Sequence, residues 1–224
     1  MKIKHIGVII DGNRRYAQLM GKKLVEGHIA GCDKLRLFVK WCYDFKIEEV
    51  TFFVLSIDNL KREKEEVNNL FRLFSEYFSE LISKKDIYDK EIGIKFFGNR
   101  DLLPKNIIDS INDLERRTRN FNKFKINFAI AYDGQDEIVR AVNNAIKSYE
   151  KDLTKDNIEE FLDNKCPLDL IIRTSEERLS GFMMWQSRYA ELIFLKDIFW
   201  PQIQKKDLKW CLDEFERRQR RFGE

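Results

Sequence analysis

The sequence reads as one α/β domain: a mostly parallel sheet of six strands flanked by helices. Two observations lead there. Short apolar runs of strand length alternate with longer segments of helical period, and that alternation builds a parallel sheet covered on both faces. Three prolines and ten glycines are spread over 224 residues with no low-complexity stretch, so no linker interrupts the chain. At about 150 residues per domain this length fits a single unit over residues 1–224.

The elements follow in chain order. His5–Ile10 opens the chain with a strand that ends at an acidic turn, Asp11-Gly12-Asn13, feeding a helix. Gly27–Phe45 has helical period, with Ile29, Leu35, Phe38, Val39 and Cys42 on one side. Val50–Leu55 is a second strand. The run 61–66 is mixed in sign and reads as a solvated helix start. Glu63–Ser83 then repeats Val67, Leu70/Phe71, Phe74, Tyr77/Phe78 and Leu81 at i, i+3/i+4, i+7 spacing. Ile94–Phe97 is a third strand. Pro104–Thr118 is a helix that opens with a proline, where its missing N–H costs nothing. Ile126–Ala131, Leu168–Ile172 and Leu192–Leu195 complete the strands; Gln135–Glu150 and Leu208–Phe222 complete the helices.

Composition excludes several classes. Charged residues are 35% and hydrophobic residues 43%, which suits a globular chain with a sizeable core. The 41 basic and 38 acidic residues leave a net charge of only +3, so bulk charge gives no case for nucleic acid and any basic site must be local. No apolar run approaches the ~20 residues of a membrane span. The apolar segment ending at Asp11 is too short for a signal-peptide core, so the mature chain is expected to begin at its N-terminus. Cys32, Cys42, Cys166 and Cys211 lie far apart, and only two histidines are present, so a zinc site is not expected and the thiols read as small buried hydrophobes. The aromatic load, with 18 Phe, 7 Tyr and 4 Trp, is the feature that composition leaves unexplained.

In an open α/β sheet, ligands bind beyond the carboxyl ends of the strands. The segments there are 11–16, 56–62, 132–134 and 173–180, which together carry at least five arginines, several acids and small hydroxyl or amide groups. Asp11 is either a helix cap or a ligand for a hard cation beside phosphate-binding N–H groups. Arg14 and Arg15 offer guanidinium forks suited to phosphate. Asp58-Asn59 could simply cap a helix, and Tyr132-Asp133-Gly134 reads as a turn. Arg173 and Arg178 flank an acidic pair, so they face either Glu176 and Glu177 or a phosphate. An anion-binding edge beside greasy helices suits a substrate with a diphosphate head and a hydrocarbon tail.

Taken together, 9–17, Gly27-His28, 56–62, 172–174 with 178–180, Trp185-Gln186, 189–192, Trp200-Pro201 and the terminal Arg221-Phe222-Gly223 resemble the cis-prenyltransferase (undecaprenyl diphosphate synthase) family over nearly the whole chain. The Arg14-Arg15-Tyr16 variant resembles archaeal and eukaryotic members. The resemblance implies a hydrophobic tunnel and a magnesium-dependent enzyme that condenses isopentenyl diphosphate onto an allylic primer, farnesyl or geranylgeranyl diphosphate, to make a long cis-polyprenyl diphosphate. It implies Asp11 as the magnesium-linked acid and Glu191 as the second metal carboxylate. Gly12, Asn13, Arg14, Arg15, Tyr16 and His28 would hold the allylic diphosphate. Asn59, as a catalytic residue with Ser56 nearby, would lie near the carbon that loses its proton, and Ser56, Asp58 and Arg62 would bind substrate. Arg173, Arg178 and Ser180 would grip isopentenyl diphosphate. Arg221 and Gly223 would reach the partner subunit's site in a homodimer, with a heteromer as the alternative. Phe71, Phe74 and Phe78 would line the tunnel. The expected setting is cytoplasmic, with peripheral membrane contact for product release.

Departures from the family pattern are local. Leu24 stands where an arginine is usual. Ile57, Asp58 and Leu60 replace a Ser/Thr, Glu and Trp pattern. Ser175-Glu176-Glu177 fills a loop that usually carries glycine and runs one residue longer. These changes leave open a short-chain or non-head-to-tail synthase, or a non-catalytic partner subunit.

Overall fold

A computed structural model describes residues 3–149 and 152–218. All six expected strands are present: β1 (His5–Ile9), β2 (Glu49–Ser56), β3 (Ile92–Phe97), β4 (Phe124–Tyr132), β5 (Leu170–Thr174) and β6 (Glu191–Leu195). Each neighbouring pair is parallel, in the order β3-β4-β2-β1-β5-β6. The helices are α1 (Asn13–Leu19), α2 (Leu24–Asp44), α3 (Lys64–Ser83), α4 (Lys85–Asp89), α5 (Lys105–Thr118), α6 (Gly134–Ser148), α7 (Lys155–Glu159) and α8 (Lys205–Arg217). The five-residue helices α4 and α7 were not anticipated, because one turn is too short to display a period.

Alternation along the strands divides the core. Ile6, Val8, Val50, Phe52, Ile94, Phe96, Ile126, Phe128, Leu170 and Ile172 point to one face, where α2, α3, α5 and α8 bury them. Ile9, Phe53, Phe97, Ala129 and Ile171 point to the other, beneath Phe182 and Met183. Trp200, fully buried, joins the larger core by packing its ring against Phe38 at a tilt of 52° and donating its indole N–H to the Gly31 carbonyl at 2.9 Å. Its backbone N–H also donates to the Asp11 carbonyl at 2.9 Å, which ties the chain after β6 to the turn after β1. On α2 the buried stripe is His28, Leu35, Phe38 and Cys42; Ile29 is 43% exposed. At about 100° per residue Ile29 falls one position off that stripe.

The strand order fixes where a ligand can bind. β1 lies centrally, and its neighbours β2 and β5 are reached by connections that depart to opposite sides. A crevice opens at such a switch point, beyond the carboxyl ends of the strands.

Candidate active site

The first turn of the site is set by glycine geometry. Gly12 takes φ +103°, and a Cβ there would run into Ser175 Oγ and lie 2.9 Å from the Phe199 ring. The chain can therefore reverse tightly after β1 and press against the loop after β5 only with glycine at this position. Gly27 and Gly31 do the same for helix packing. A Cβ on Gly27 would fall inside contact with the Asn13 carbonyl oxygen, and one on Gly31 would lie 2.5 Å from Asn13 Oδ1. Helix α1 consequently lies directly on α2.

Register then brings Arg173 to Asp11. Ile9 pairs with Arg173 across β1 and β5, and Asp11 follows two residues later. Arg173, 4% exposed, donates to Asp11 Oδ2 at 2.9 Å and to Ser180 Oγ at 2.7 Å, and also to the Arg178 carbonyl. Its Nε is buried without a partner. The other carboxylate oxygen of Asp11 accepts the Gly12 N–H at 2.6 Å and lies 3.3 Å from Arg15. The side chain of Asp11 is thus not a helix cap; it is the centre of a two-arginine pair. Arg15 also reaches Glu176 at 2.9 Å, and Glu176 lies 3.3 Å from Arg178. Ser175 and Ser180 hold left-handed backbone at φ +70° and +49°. That conformation is costly for residues other than glycine and clusters at functional loops.

The 56–62 segment closes the opposite wall. Ser56 caps a short 3-10 helix, Ile57–Lys61: its Oγ accepts from the Asn59 N–H at 3.1 Å, and the Ser56 N–H donates to Asn59 Oδ1 at 3.3 Å. Capping and cleft lining are both true of this pair. Likewise Asp133 caps α6 and also faces the cleft.

These groups bound one cleft of about 580 Å³, lined by Asp11, Gly12, Asn13, Arg14, Arg15, His28, Ser56, Asp58, Asn59, Arg62, Arg173, Arg178 and Ser180, together with Gln18, Asp133 and Glu176. Its five arginines face four carboxylates, so much of the positive charge is held internally. Beside it lies an apolar recess of about 40 Å³ that shares Ile10, Asn13, His28, Val54 and Leu70 with the cleft and continues to Leu73, Phe74, Tyr77 and Phe78.

One residue of this site escaped the sequence. Glu66, nearly buried on α3, lies 3.0 Å from Arg62, 3.4 Å from His28 Nε2 and 3.7 Å from Arg14. It sat inside a charge run that reads as a solvated helix start, and only the packing of α3 against α2 turns it inward. Burial lowers the His28 pKa against the pull of Glu66, so the ring is neutral at pH 7.

Four expectations are corrected or fall outside. Tyr16 does not line the cleft. Phe71 is not in the recess wall, which Leu73 and Tyr77 supply instead, because they lie on the α3 face turned to α2. Glu191 opens β6, level with Leu170, and so stands at the opposite end of the sheet from Asp11; within one chain the two do not share a metal, and Glu191 pairs with Arg218 at 2.9 Å. Arg221 and Gly223 lie outside the described residues.

The donor set fits magnesium. Such an ion takes oxygen ligands and commonly uses one or two carboxylates with substrate phosphates and water. Asp11, about one-third exposed, offers that carboxylate at the cleft floor.

Comparison with known proteins agrees with this geometry. Residues 9–223 match the family model described as putative undecaprenyl diphosphate synthase. Tritrans,polycis-undecaprenyl-diphosphate synthases (geranylgeranyl-diphosphate specific) from Methanocaldococcus jannaschii and Thermoplasma acidophilum are 42% and 40% identical, over 98% of this chain and 82% and 88% of theirs. Two solved structures superpose over almost the full length of both chains. A probable undecaprenyl diphosphate synthase from Campylobacter jejuni gives a TM-score of 0.85 at 28% identity, covering 100% of each chain. Lavandulyl diphosphate synthase from Lavandula x intermedia, in complex with dimethylallyl diphosphate, gives 0.91 at 27%, covering 99% of this chain and 98% of that one. With a whole-length family match, an arginine-ringed Asp11 and an apolar recess behind it, the chain belongs to the undecaprenyl diphosphate synthase family of cis-prenyltransferases, enzymes that condense isopentenyl diphosphate onto an allylic primer.

Proposed function

We propose that this chain is a magnesium-dependent polyprenyl diphosphate synthase that extends geranylgeranyl diphosphate, or another long allylic primer such as farnesyl diphosphate, into a long cis-polyprenyl diphosphate. The observation that carries the reading is the continuity of a diphosphate-sized arginine cleft with an apolar recess through Ile10, Val54 and Leu70. A substrate with an anionic head and a growing hydrocarbon tail needs both, side by side. The names of the archaeal relatives support geranylgeranyl diphosphate as primer.

Each residue has a chemical part. Arg14, Arg15 and Arg62, with His28, hold the allylic diphosphate; to do so they exchange Glu66 and Glu176 for phosphate oxygens. Arg173, Arg178 and Ser180 hold isopentenyl diphosphate. Asp11, oriented by Arg173 and the Gly12 N–H, holds magnesium, which when bound neutralises charge on the departing diphosphate. The allylic C–O bond breaks and its electron pair leaves with diphosphate. The isopentenyl double bond attacks the freed carbon, and a proton leaves the neighbouring carbon. The Asn59 amide is a weak base and its Oδ1 already accepts the Ser56 N–H, so a diphosphate oxygen takes that proton while Asn59 orients the chain. Fixed guanidinium donors aimed at the developing anion lower the barrier electrostatically.

We place a homodimer around the β6 edge. Arg218 pairs with Glu191 at that edge, and Arg221 and Gly223, outside the described residues, would serve a second subunit's site. A heteromer would use the same edge. Product release would need peripheral membrane contact; among the described residues no helix is long and apolar enough to cross a membrane.

Magnesium-dependent incorporation of labelled isopentenyl diphosphate into extractable lipid tests the reading. It should fall at least 100-fold in Asp11→Ala. Absence of incorporation with every allylic primer would overturn it and leave the non-catalytic partner subunit. The likeness to lavandulyl diphosphate synthase, with Leu24, Ile57 and Leu60, favours a second reading: a short-chain or non-head-to-tail condensation. Mass analysis of the product decides between them.

A further inference from the structure

At the opposite end of the sheet from Asp11, three side chains that the sequence scatters come together. His5, Glu49 and Cys166 place one ligand atom each within 4.8 Å of one another. Parallel register sets His5 opposite Glu49 on β1 and β2, and the loop before β5 carries Cys166 over them. We propose that His5 Nε2, Glu49 and Cys166 Sγ form a zinc-class divalent metal site, separate from the prenyl-transfer cleft.

Three features argue for it. The first is the ligand chemistry. A nitrogen, a carboxylate oxygen and a sulfur suit zinc or cobalt, whereas magnesium prefers oxygen alone. A neutral imidazole with a carboxylate and a thiolate balances a divalent charge, so the buried site would carry none.

The second is the surroundings. The Pro167 carbonyl, which can only accept, lies 3.2 Å from His5 Nδ1; the ring proton therefore sits on Nδ1, leaving the Nε2 lone pair to accept the Thr51 hydroxyl at 2.7 Å, with Glu49 Oε1 3.8 Å away. Carbonyl-oriented imidazoles of this kind are the usual outer support of metal-bound histidine. Asn127 supports the carboxylate, donating to Glu49 Oε1 at 2.6 Å and to Thr51 Oγ1 at 2.9 Å. Thr51 Oγ1 sits 2.7 Å from His5 Nε2, so metal entry requires the Thr51 side chain to change rotamer and release Asn127, which keeps its bond to Glu49.

The third is reach. Zinc bonds of about 2.0–2.3 Å set tetrahedral ligand atoms roughly 3.5 Å apart. His5 Nε2 and Glu49 Oε1 are already 3.8 Å apart, and half-buried Cys166 brings its Sγ within 4.8 Å of a ligand atom of each. On binding, the thiol proton goes to solvent and Sγ takes the metal; no oxidation is involved. Water would complete the coordination.

The test uses the full chain, stripped with chelator and dialysed against zinc. Metal analysis should find one zinc per chain beyond any held in Asp11→Ala-sensitive fashion, and cobalt should give a thiolate-to-metal charge-transfer band. Loss of an outer-shell partner costs metal sites about 10–100-fold in affinity, so loss of a ligand in Cys166→Ser should cost about 100-fold or more and abolish the band. Glu49→Gln should weaken binding while keeping the band's sulfur origin. Asp11→Ala should leave this one zinc and the band untouched. No band, zinc retained equally in Cys166→Ser, or a band lost in Asp11→Ala overturns the proposal. None of these readings depends on prenyl transfer.

Discussion

Gly27→Ala is the substitution that best separates close packing from helix propensity. Gly27 lies in the first turns of α2. In an isolated helix, alanine there would be preferred by up to about 1 kcal/mol. In the fold, the added Cβ would fall inside contact with the Asn13 backbone oxygen and 2.9 Å from Ala17 Cβ, whereas ordinary contact begins near 3.4 Å. The obstacle is backbone rather than a swinging side-chain end, so α1 as a whole must move by roughly 0.5–1 Å. Overpacking of this kind costs about 1–3 kcal/mol. For a chain of this size that lowers the melting temperature by about 3–10 °C. α1 also carries Arg14 and Arg15 and follows Asp11 directly. A displacement near 1 Å at positioning groups costs about 100-fold in rate. Urea unfolding, thermal melts and kcat/KM for isopentenyl diphosphate are the measurements. Gly31→Ala is the companion, because the three atoms nearest its Cβ all belong to the Asn13 side chain, the closest at 2.5 Å, and it should cost less stability. A Gly27→Ala protein that is as stable as the parent or more so, with normal kcat/KM, would refute the reasoning, since propensity would then have won.

Arg173→Lys keeps the charge, but one ammonium nitrogen cannot span both Asp11, held by one guanidinium nitrogen, and the Ser180 hydroxyl with the Arg178 carbonyl, held by the other. Losing at least one charge-assisted hydrogen bond, at about 1.5–3 kcal/mol, predicts a fall of about 10–100-fold in kcat/KM for isopentenyl diphosphate with secondary structure intact; a change under threefold contradicts it. His28 has a folded pKa below its unfolded value of about 6.5, so the unfolded chain binds the extra proton as pH falls and stability drops on the acid side, by up to about 1.4 kcal/mol per pH unit until the folded pKa is passed. Urea midpoints at pH 7.5 and 5.5 should therefore fall further for the parent than for His28→Gln; equal falls would remove His28 from the account. Leu73→Trp puts bulk into the small recess at a half-buried position and should shorten the product without slowing the first condensation, as read by mass spectrometry; an unchanged product distribution would mean that the tail runs elsewhere.

Much of the site was legible because it is built from strand ends. The alternation of short apolar runs and helical period locates each strand, and whatever follows a strand of a parallel sheet arrives at the carboxyl edge. That is why Asp11, Ser56, Asn59, Arg173 and Arg178 could be grouped before any geometry was known. Residues on helices were harder. Glu66 and Leu73 depend on which side of α3 turns to α2, and a 3.6-residue period leaves the azimuth of a charged or flanking residue open by about one position. Phe71 and Ile29 fail by that one position. Tyr16 fails because adjacency to a motif does not fix where a side chain points.

The amino-acid sequence by itself determined the α/β class, the six parallel strands, the single-domain reading and the clustering of arginines near one acid, because these rest on local period and on the direction of the chain. Tertiary structure decided what pairs with what. Strand register set Arg173 against Asp11 and His5 against Glu49, and the height of β6 carried Glu191 away from the metal carboxylate that motif matching had assigned it. Residues 162 positions apart, as Asp11 and Arg173 are, meet only through strand order. The expectation that no zinc site would form among scattered cysteines and two histidines came from spacing along the chain. Neighbouring parallel strands and a covering loop erase that spacing, and His5, Glu49 and Cys166 become neighbours.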